Sequence, residues 1–367
     1  MKDKVLIVPL YLKTVLIIIG LFAVFAILYI AQNIIVPLVF ATIIAIVLHP
    51  LVNLLIRTKI NRVVAIVITL LITFLILFGF GALFFSQASR FGESWPILVD
   101  KITVFINQTI ADAAIFYDVN PQKIHDWITT AKDELLTMGS AAIGQTLVII
   151  GNGLVIFLLL PVYIFLILFY HPLLLEFIHK LFGETNKNKV TKLVTQIKNV
   201  IQSYLIGLII EFIIMAILEI TTLLILGIEY ALILGVMGAL LNIIPYIGGL
   251  VAVAMPILVA LVTKTSPSFA LYILAAYYVI QLIDNNYIVP KIVASKVKIN
   301  ALFSIIVVLA GNALWGIPGM FLSIPLLAIV KVICDNIESL KPWGFLLGDT
   351  MPSMLKIAPI FKKLKLK

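Results

Sequence analysis

Glu211 and Glu219 stand in an apolar run that begins at Ser203 and closes at Gly227. An ionised carboxylate in hydrocarbon is costly, so such a group faces a cavity or the interior of a helix bundle, where it can exchange a proton or meet a cation. Ser203, Gly207 and Glu211 are spaced by four and share one helix face. Glu219 is turned by about 80° from Glu211 and lies about 12 Å further along the axis. Both can border a wide cleft, but that separation rules out a carboxylate pair working on one bond. The alternative for each is a structural lock, a carboxyl hydrogen-bonded to the next helix.

A second set of residues carries amides. Asn242, Gln281, Asn285 and Asn286 offer N–H donors and carbonyl acceptors. A small polyhydroxylated cargo would use both, whereas Na⁺ would use only the oxygens. Asp284 adds a carboxylate beside them; its alternative is a helix-end residue in the inner interface, near Lys291. These residues belong to two of three stretches that interrupt apolar runs. The first runs from Asn242 through Pro245, Tyr246, Gly248 and Gly249, the second from Gln281 to Pro290, and the third from Gly311 through Gly316 to Gly319. Broken backbone at membrane depth must be buried in protein or line an aqueous cavity. Transporters build substrate sites from short apolar segments broken by Gly and Pro. Tyr246 is placed to close the first tip, and Gly248 and Gly249 allow close helix approach. The competing reading is that prolines and glycines, both frequent in membrane helices, only kink or pack them.

The chain that must position these groups is all-α and polytopic. Of 367 residues, 63% are hydrophobic and 12% charged, and the mean hydropathy is +1.20. Soluble domains carry about 25% charge. The net charge of +9 sits in lysines between apolar runs and at the tail, where cytoplasmic loops place them, and does not indicate nucleic acid. The single cysteine, Cys334, excludes an internal disulfide, and His49, His125, His171 and His179 show no metal-ligand spacing. No nucleotide-binding loop is present, and no nucleophile, base and metal set can be assembled. The reading is therefore no enzyme, no bound cofactor and no metal, with H⁺ or Na⁺ as possible coupling ions.

In order, the spans read 15–31, 34–56, 63–85, 147–170, 203–227 and 268–290. The first is read as a retained helix rather than a cleaved signal. Lys2, Lys4 and Lys13 favour a cytoplasmic N-terminus, and Arg57, Lys59 and Arg62 mark a cytoplasmic loop. Residues 86–146 form a polar insert, net −3 from four basic and seven acidic side chains. Span parity puts it outside, and three- and four-residue apolar spacing makes it helical. Residues 171–202 are a basic, amphipathic cytoplasmic stretch that lies in the interface or packs under the bundle. The runs 230–262 and 301–333 are each split by Pro and Gly into halves too short to cross about 30 Å. They read as broken or re-entrant hairpins of opposite sense, with tips that meet beside the 203–227 span. A single crossing by 230–262 would put Lys291, Lys296 and Lys298 outside. Residues 334–367 form a lysine-rich cytoplasmic tail.

The motifs Asn242…Pro245-Tyr246-Ile247-Gly248-Gly249 and Gln281…Asn285-Asn286…Pro290, with Gly316…Gly319…Ile324-Pro325, resemble the AI-2E family of transporters, which includes PerM-like permeases. The resemblance covers nearly the whole chain. It takes in Leu48-His49-Pro50-Leu51, the polar insert after the third span and the basic linker before the C-terminal block. It implies a multi-pass inner or plasma membrane protein with about eight membrane segments, matched by six full spans plus two broken pairs. It also implies a homo-oligomer, with a pentamer as the form of better-known members. Some members are linked to export of the furanone autoinducer-2, and others look like sodium or lithium/proton antiporters. The expected function is a secondary transporter of a small polar solute in the lipid bilayer, with a Na⁺(Li⁺)/H⁺ antiporter as the alternative. A third reading is a non-transporting membrane scaffold built on the acidic insert.

Overall fold

A computed structural model describes residues 9–114, 132, 158–183, 187–244, 248–264, 266–293 and 298–349. The helices are α1 (Leu10–Ile30), α2 (Gln32–Arg57), α3 (Arg62–Ala114), α4 (Leu158–Phe169), α5 (His171–Phe182), α6 (Lys187–Ile225), α7 (Ala231–Asn242), α8 (Gly248–Thr263), α9 (Ser268–Ile283), α10 (Ala301–Asn336) and α11 (Lys341–Leu347). The single β pairing among the described residues is Ile299 with Gly348.

Helix α6 is the post of the bundle. Its buried residues, among them Tyr204, Leu208, Glu211, Met215, Glu219 and Leu223, recur every three to four positions, so one stripe of the helix faces inward. One core joins this stripe to α2 and α10, and another joins it to α7 and α9. α6 is also continuous from Lys187 to Ile225, with no break between the basic linker and the span expected at 203. It ends where Ile228 N–H donates to the Leu223 carbonyl and Gly227 N–H to that of Leu224, with Gly227 at φ 64°. This 6→1 and 5→2 pattern needs a left-handed residue, which glycine supplies without strain. The chain then returns as α7 against α6. A Cβ on Gly235 would lie 2.8 Å from the Ile220 backbone nitrogen. Gly235→Val is therefore expected to lower stability by about 1–3 kcal/mol, read as a lower unfolding midpoint of the purified protein in detergent.

Helix α3 spans 53 residues, about 80 Å of helix. The helix does not break at residue 85 or at Pro96; the first part of the polar insert continues the third span. Its Leu98, with Phe84, Ala88 and Phe91, packs on Ile228, Ala231 and the apolar side of α8 and α9. Tyr230 donates a hydrogen bond to Ser94 Oγ at 2.7 Å.

Helix α10 is not straight. Gly316 has φ 64° and ψ −145°, a region open essentially to glycine alone. Ser323 Oγ donates to the Val307 carbonyl at 2.8 Å, although residues so spaced would be about 24 Å apart on a straight helix. The two arms therefore fold against each other, with Gly311 and Gly319 at the crossing. The turn lies against α1, where Trp315 Nε1 donates to the Leu28 carbonyl at 3.0 Å, and Ile317 is 72% exposed. The expected meeting of the two hairpin tips involves residues 245–247, which lie outside the described residues. Among the described residues, α7 and α10 are linked through Ile243 and Ile324, which share a core with Tyr204 and Leu208.

Among the described residues, six helices are long and apolar enough to cross a membrane, or up to seven if the α4–α5 pair, bent by 61°, is one span. About eight membrane segments were expected. The six include α10, whose length is divided between two arms, so length alone overstates its reach. α7 has 12 residues, about 18 Å, and falls short of a bilayer core of about 30 Å. The all-α, multi-pass membrane architecture is plain in either count.

Candidate functional site

Helix α9 does not end in a cap. It continues as π-helical turns over Asp284–Val293, a wider winding that recurs at functional sites. Pro290 has no N–H for a regular ladder. The first residue of this segment, Asp284, is 2% exposed. Its Oδ2 accepts from Asn242 Nδ2 at 3.0 Å and from Gln281 Nε2 at 3.3 Å, and Gln281 Nε2 lies 3.4 Å from Asn285 Oδ1. Its Oδ1 is buried and has no hydrogen-bond partner among the described residues.

The first hairpin delivers Asn242 to this point. Asn242 is the last residue of α7, and Gly248 and Gly249 open α8. A Cβ at Gly249 would collide with Gln281 Oε1, and one at Gly248 with the Leu241 carbonyl. Gly249 thus admits α9, while Gly248 closes the hairpin on itself.

Glu211 is 5% exposed on α6, within electrostatic range of Asp284. The two carboxyl groups share a cavity of about 590 Å³ with Asn242, Gly249, Gln281 and Asn285. Tyr204, Tyr277, Tyr278, Ser304, Lys298 and Asp349 add polar groups, and Leu208, Ile243, Val253, Leu274, Val289 and Ile324 make apolar wall. Pockets for small organic ligands run to about 300–1,000 Å³, largely apolar with a few placed polar groups. Among the described residues no group of three or more His, Cys, Asp or Glu is arranged to hold a metal ion.

The other expected site residues that are described stand apart from this wall. Glu219, 2% exposed, lies behind Tyr277, whose hydroxyl faces it without hydrogen-bond geometry. Its Oε2 has no partner among the described residues and lies against α7 at Gly238, where any Cβ would collide with it. Asn286 turns away and donates to the Leu282 carbonyl of its own helix at 2.8 Å. Pro290 is exposed on the π-helical segment. Gly316 and Gly319 build the α10 turn and crossing. Pro245 and Tyr246 lie outside the described residues.

Several wall residues went unread in the sequence. Tyr277, Gln281 and Asp284 follow at spacings of four and three, and Tyr204 precedes Glu211 by two turns, so helical spacing from the polar residues marks both tyrosines. Lys298 and Asp349 carry no such signal. They come together through the Ile299–Gly348 pairing and the Asn300 N–H to Leu347 carbonyl bond at 2.9 Å.

A family model described as AI-2E family transporter matches residues 16–339. The chain is 33% identical over 109 residues to the "AI-2 transport protein TqsA" of Escherichia coli (strain K12), covering 30% of this chain and 31% of that protein. It is 31% identical over 110 residues to a "Putative transport protein" of Borreliella burgdorferi, covering 30% of each. It is 30% identical over 102 residues to the "Putative transport protein YueF" of Bacillus subtilis (strain 168), covering 28% of this chain and 27% of that one. The aligned stretches thus span under a third of these relatives' own length.

Proposed function

Because the chain belongs to the AI-2E family of transporters, we propose that it carries a small polar solute of autoinducer-2-like chemistry through the cavity between α6, α7–α8 and α9. The observation that carries this reading is the wall itself, where Asn242, Gln281, Asn285, Glu211 and Asp284 gather among apolar side chains. Amide and carboxyl groups in one chamber suit a hydroxylated molecule that both donates and accepts. The name of the Escherichia coli relative agrees with that cargo class.

In this reading α1, α2, α3, α4, α6 and α9 cross the bilayer. The α7–α8 pair and the folded α10 enter from opposite sides as re-entrant hairpins, which makes eight segments. Both termini are cytoplasmic, because the Arg57–Arg62 loop and Lys291 and Lys298 then fall inside. The cavity reaches Lys298 and Asp349 on that side, while Tyr277 and Glu219 lie toward the outer end. Assembly into a homo-oligomer, a pentamer by the family resemblance, belongs to the same proposal.

The test is flux of labelled solutes in proteoliposomes. Asn242→Ala removes a donor to Asp284 and is expected to lower flux by about tenfold, the cost of a hydrogen bond to a charged group. Asn286→Ala is expected to leave flux within about twofold, since it removes only a bond within its own helix. Equal loss in both variants, or wild-type flux no greater than in protein-free vesicles across a cargo panel, overturns the reading.

A second reading, Na⁺(Li⁺)/H⁺ antiport, is favoured by Asp284 Oδ1 and Glu219 Oε2, two buried carboxyl oxygens without partners among the described residues. It is checked by intravesicular pH after Na⁺ or Li⁺ addition. An alkaline or acid response that requires the cation supports it, and no response at any pH from about 6 to 9 rejects it.

A further inference from the structure

At the end of the bundle that carries the Arg57–Arg62 loop, four elements bring basic side chains to one place. α2 supplies His49, α3 Arg62, the α4–α5 bend His171 and α6 Lys198. Lys198 Nζ lies 3.0 Å from His49 Nδ1, and Asn53 Nδ2 lies 3.1 Å from the same atom. An ammonium can only donate, so His49 Nδ1 accepts and Nε2 carries the hydrogen. The His49 and His171 rings are 4.6 Å apart. Arg62 uses one arm of its guanidinium on the Leu168 carbonyl and lies within electrostatic range of both rings. All four side chains are half-buried. Among the described residues, no carboxylate pairs with Arg62, His171 or Lys198.

Cations gathered between helices without an anion are costly unless something neutralises them. The adjoining element indicates what does. α5 turns 61° from α4 and has no buried residue. Its Leu173, Leu174, Phe177, Leu181 and Phe182 are exposed, while Glu176 and Lys180 pair at 2.9 Å on the polar side. A helix of this kind lies in the plane of the membrane interface, which sets the bend and the basic cluster at headgroup depth.

We propose that His49, Arg62, His171 and Lys198 form a binding site for the phosphate of an anionic phospholipid whose acyl chains lie along the apolar face of α5. Arg62 and Lys198 supply the charge, and the imidazole N–H groups supply directed donors. Basic pockets between membrane helices on the cytoplasmic side recognise headgroups in this way.

The experiment is native mass spectrometry of the full chain in a neutral detergent, titrated with phosphatidylglycerol, with phosphatidylcholine and inorganic phosphate as the other arms. The expected result is preferential retention of phosphatidylglycerol. Arg62→Gln and Lys198→Gln should each weaken it by about fivefold, the effect of one basic residue near an anionic surface. Lys198→Arg should keep it, as should Lys189→Gln, an exposed lysine on the same helix. If Arg62→Gln fails to fold for want of its bond to Leu168, Lys198→Gln against Lys198→Arg carries the test alone. Equal retention of the two lipids, or unchanged phosphatidylglycerol binding in Lys198→Gln, overturns the site. Displacement of the lipid by millimolar inorganic phosphate would assign the cluster to a soluble anion and overturn the lipid proposal.

Discussion

Asp284→Ala is expected to reduce transport by about 10- to 100-fold, with the protein still folded. Asp284 Oδ2 is the common acceptor for Asn242 and Gln281, so its removal leaves the buried Asn242 amide without its partner, while the half-buried Gln281 keeps Asn285 Oδ1 at 3.4 Å. The single bond from Asn242 to a charged acceptor contributes about 1.5–3 kcal/mol, which sets the size of the effect. The network also joins three elements, the end of α7, the last turn of α9 and the first π-helical turn. Losing it frees the first hairpin from α9 as well as altering the wall. Asp284→Asn separates the two functional readings. The amide keeps an oxygen for Asn242 or Gln281, so solute flux should fall by less than in Asp284→Ala. Cation-dependent proton movement, if the protein performs it, should be lost in both, because the amide cannot ionise. The measurement is initial flux in proteoliposomes at matched protein incorporation, with circular dichroism as the check on folding.

Gly319→Val is expected to cost about 3 kcal/mol of stability, at the upper end of the usual overpacking range. A Cβ at Gly319 would collide with the Gly311 carbonyl, and one at Gly311 would meet Ser323 Oγ and lie 2.5 Å from the Gly319 carbonyl. Backbone faces backbone at this crossing, so no side chain can move aside. The arms must separate, and the Ser323 bond to Val307 must break. Gly20→Ala is the control, since nothing lies within 4 Å of a Cβ there. It should change the unfolding midpoint in detergent by no more than a degree or two, about what surface substitutions do. A Gly319→Val protein as stable as wild type would mean that α10 does not fold back on itself.

Much of the framework was legible because the physics that sets it is local. The apolar run around Glu211 shows its stripe in the spacing of Tyr204, Leu208, Glu211 and Met215, and the cost of a carboxylate in hydrocarbon singles out Glu211 and Glu219. The break between Asn242 and Gly249 and the glycine turn at Gly316 both announce themselves as punctuation in apolar sequence. What stayed hidden depends on long-range contacts. Nothing in residues 86–114 says that they extend α3, because the polar composition that marks them as outside the membrane is equally compatible with a separate helix. Asn286 looks equivalent to Asn285, yet one residue of rotation sends it to its own helix's carbonyl. Lys298 and Asp349 reach the cavity through backbone pairing of two segments distant in sequence, which no spacing rule captures. Sequence spacing alone lets Glu219 border the same cleft as Glu211. Its turn about the helix places it instead behind Tyr277, pressed on Gly238.

The proposed path of the cargo is the chamber between Glu211 and Asp284. Asn285 lines it and is exposed, and Cys334 is the single native cysteine. The direct test is Asn285→Cys in a Cys334→Ser background, reconstituted and treated with a charged, membrane-impermeant thiol reagent from each side in turn. Modification from the side of Lys298 and Asp349 is expected to block flux, and transported solute is expected to slow the labelling. Complete modification of Asn285→Cys with flux unchanged would place the path elsewhere in the molecule.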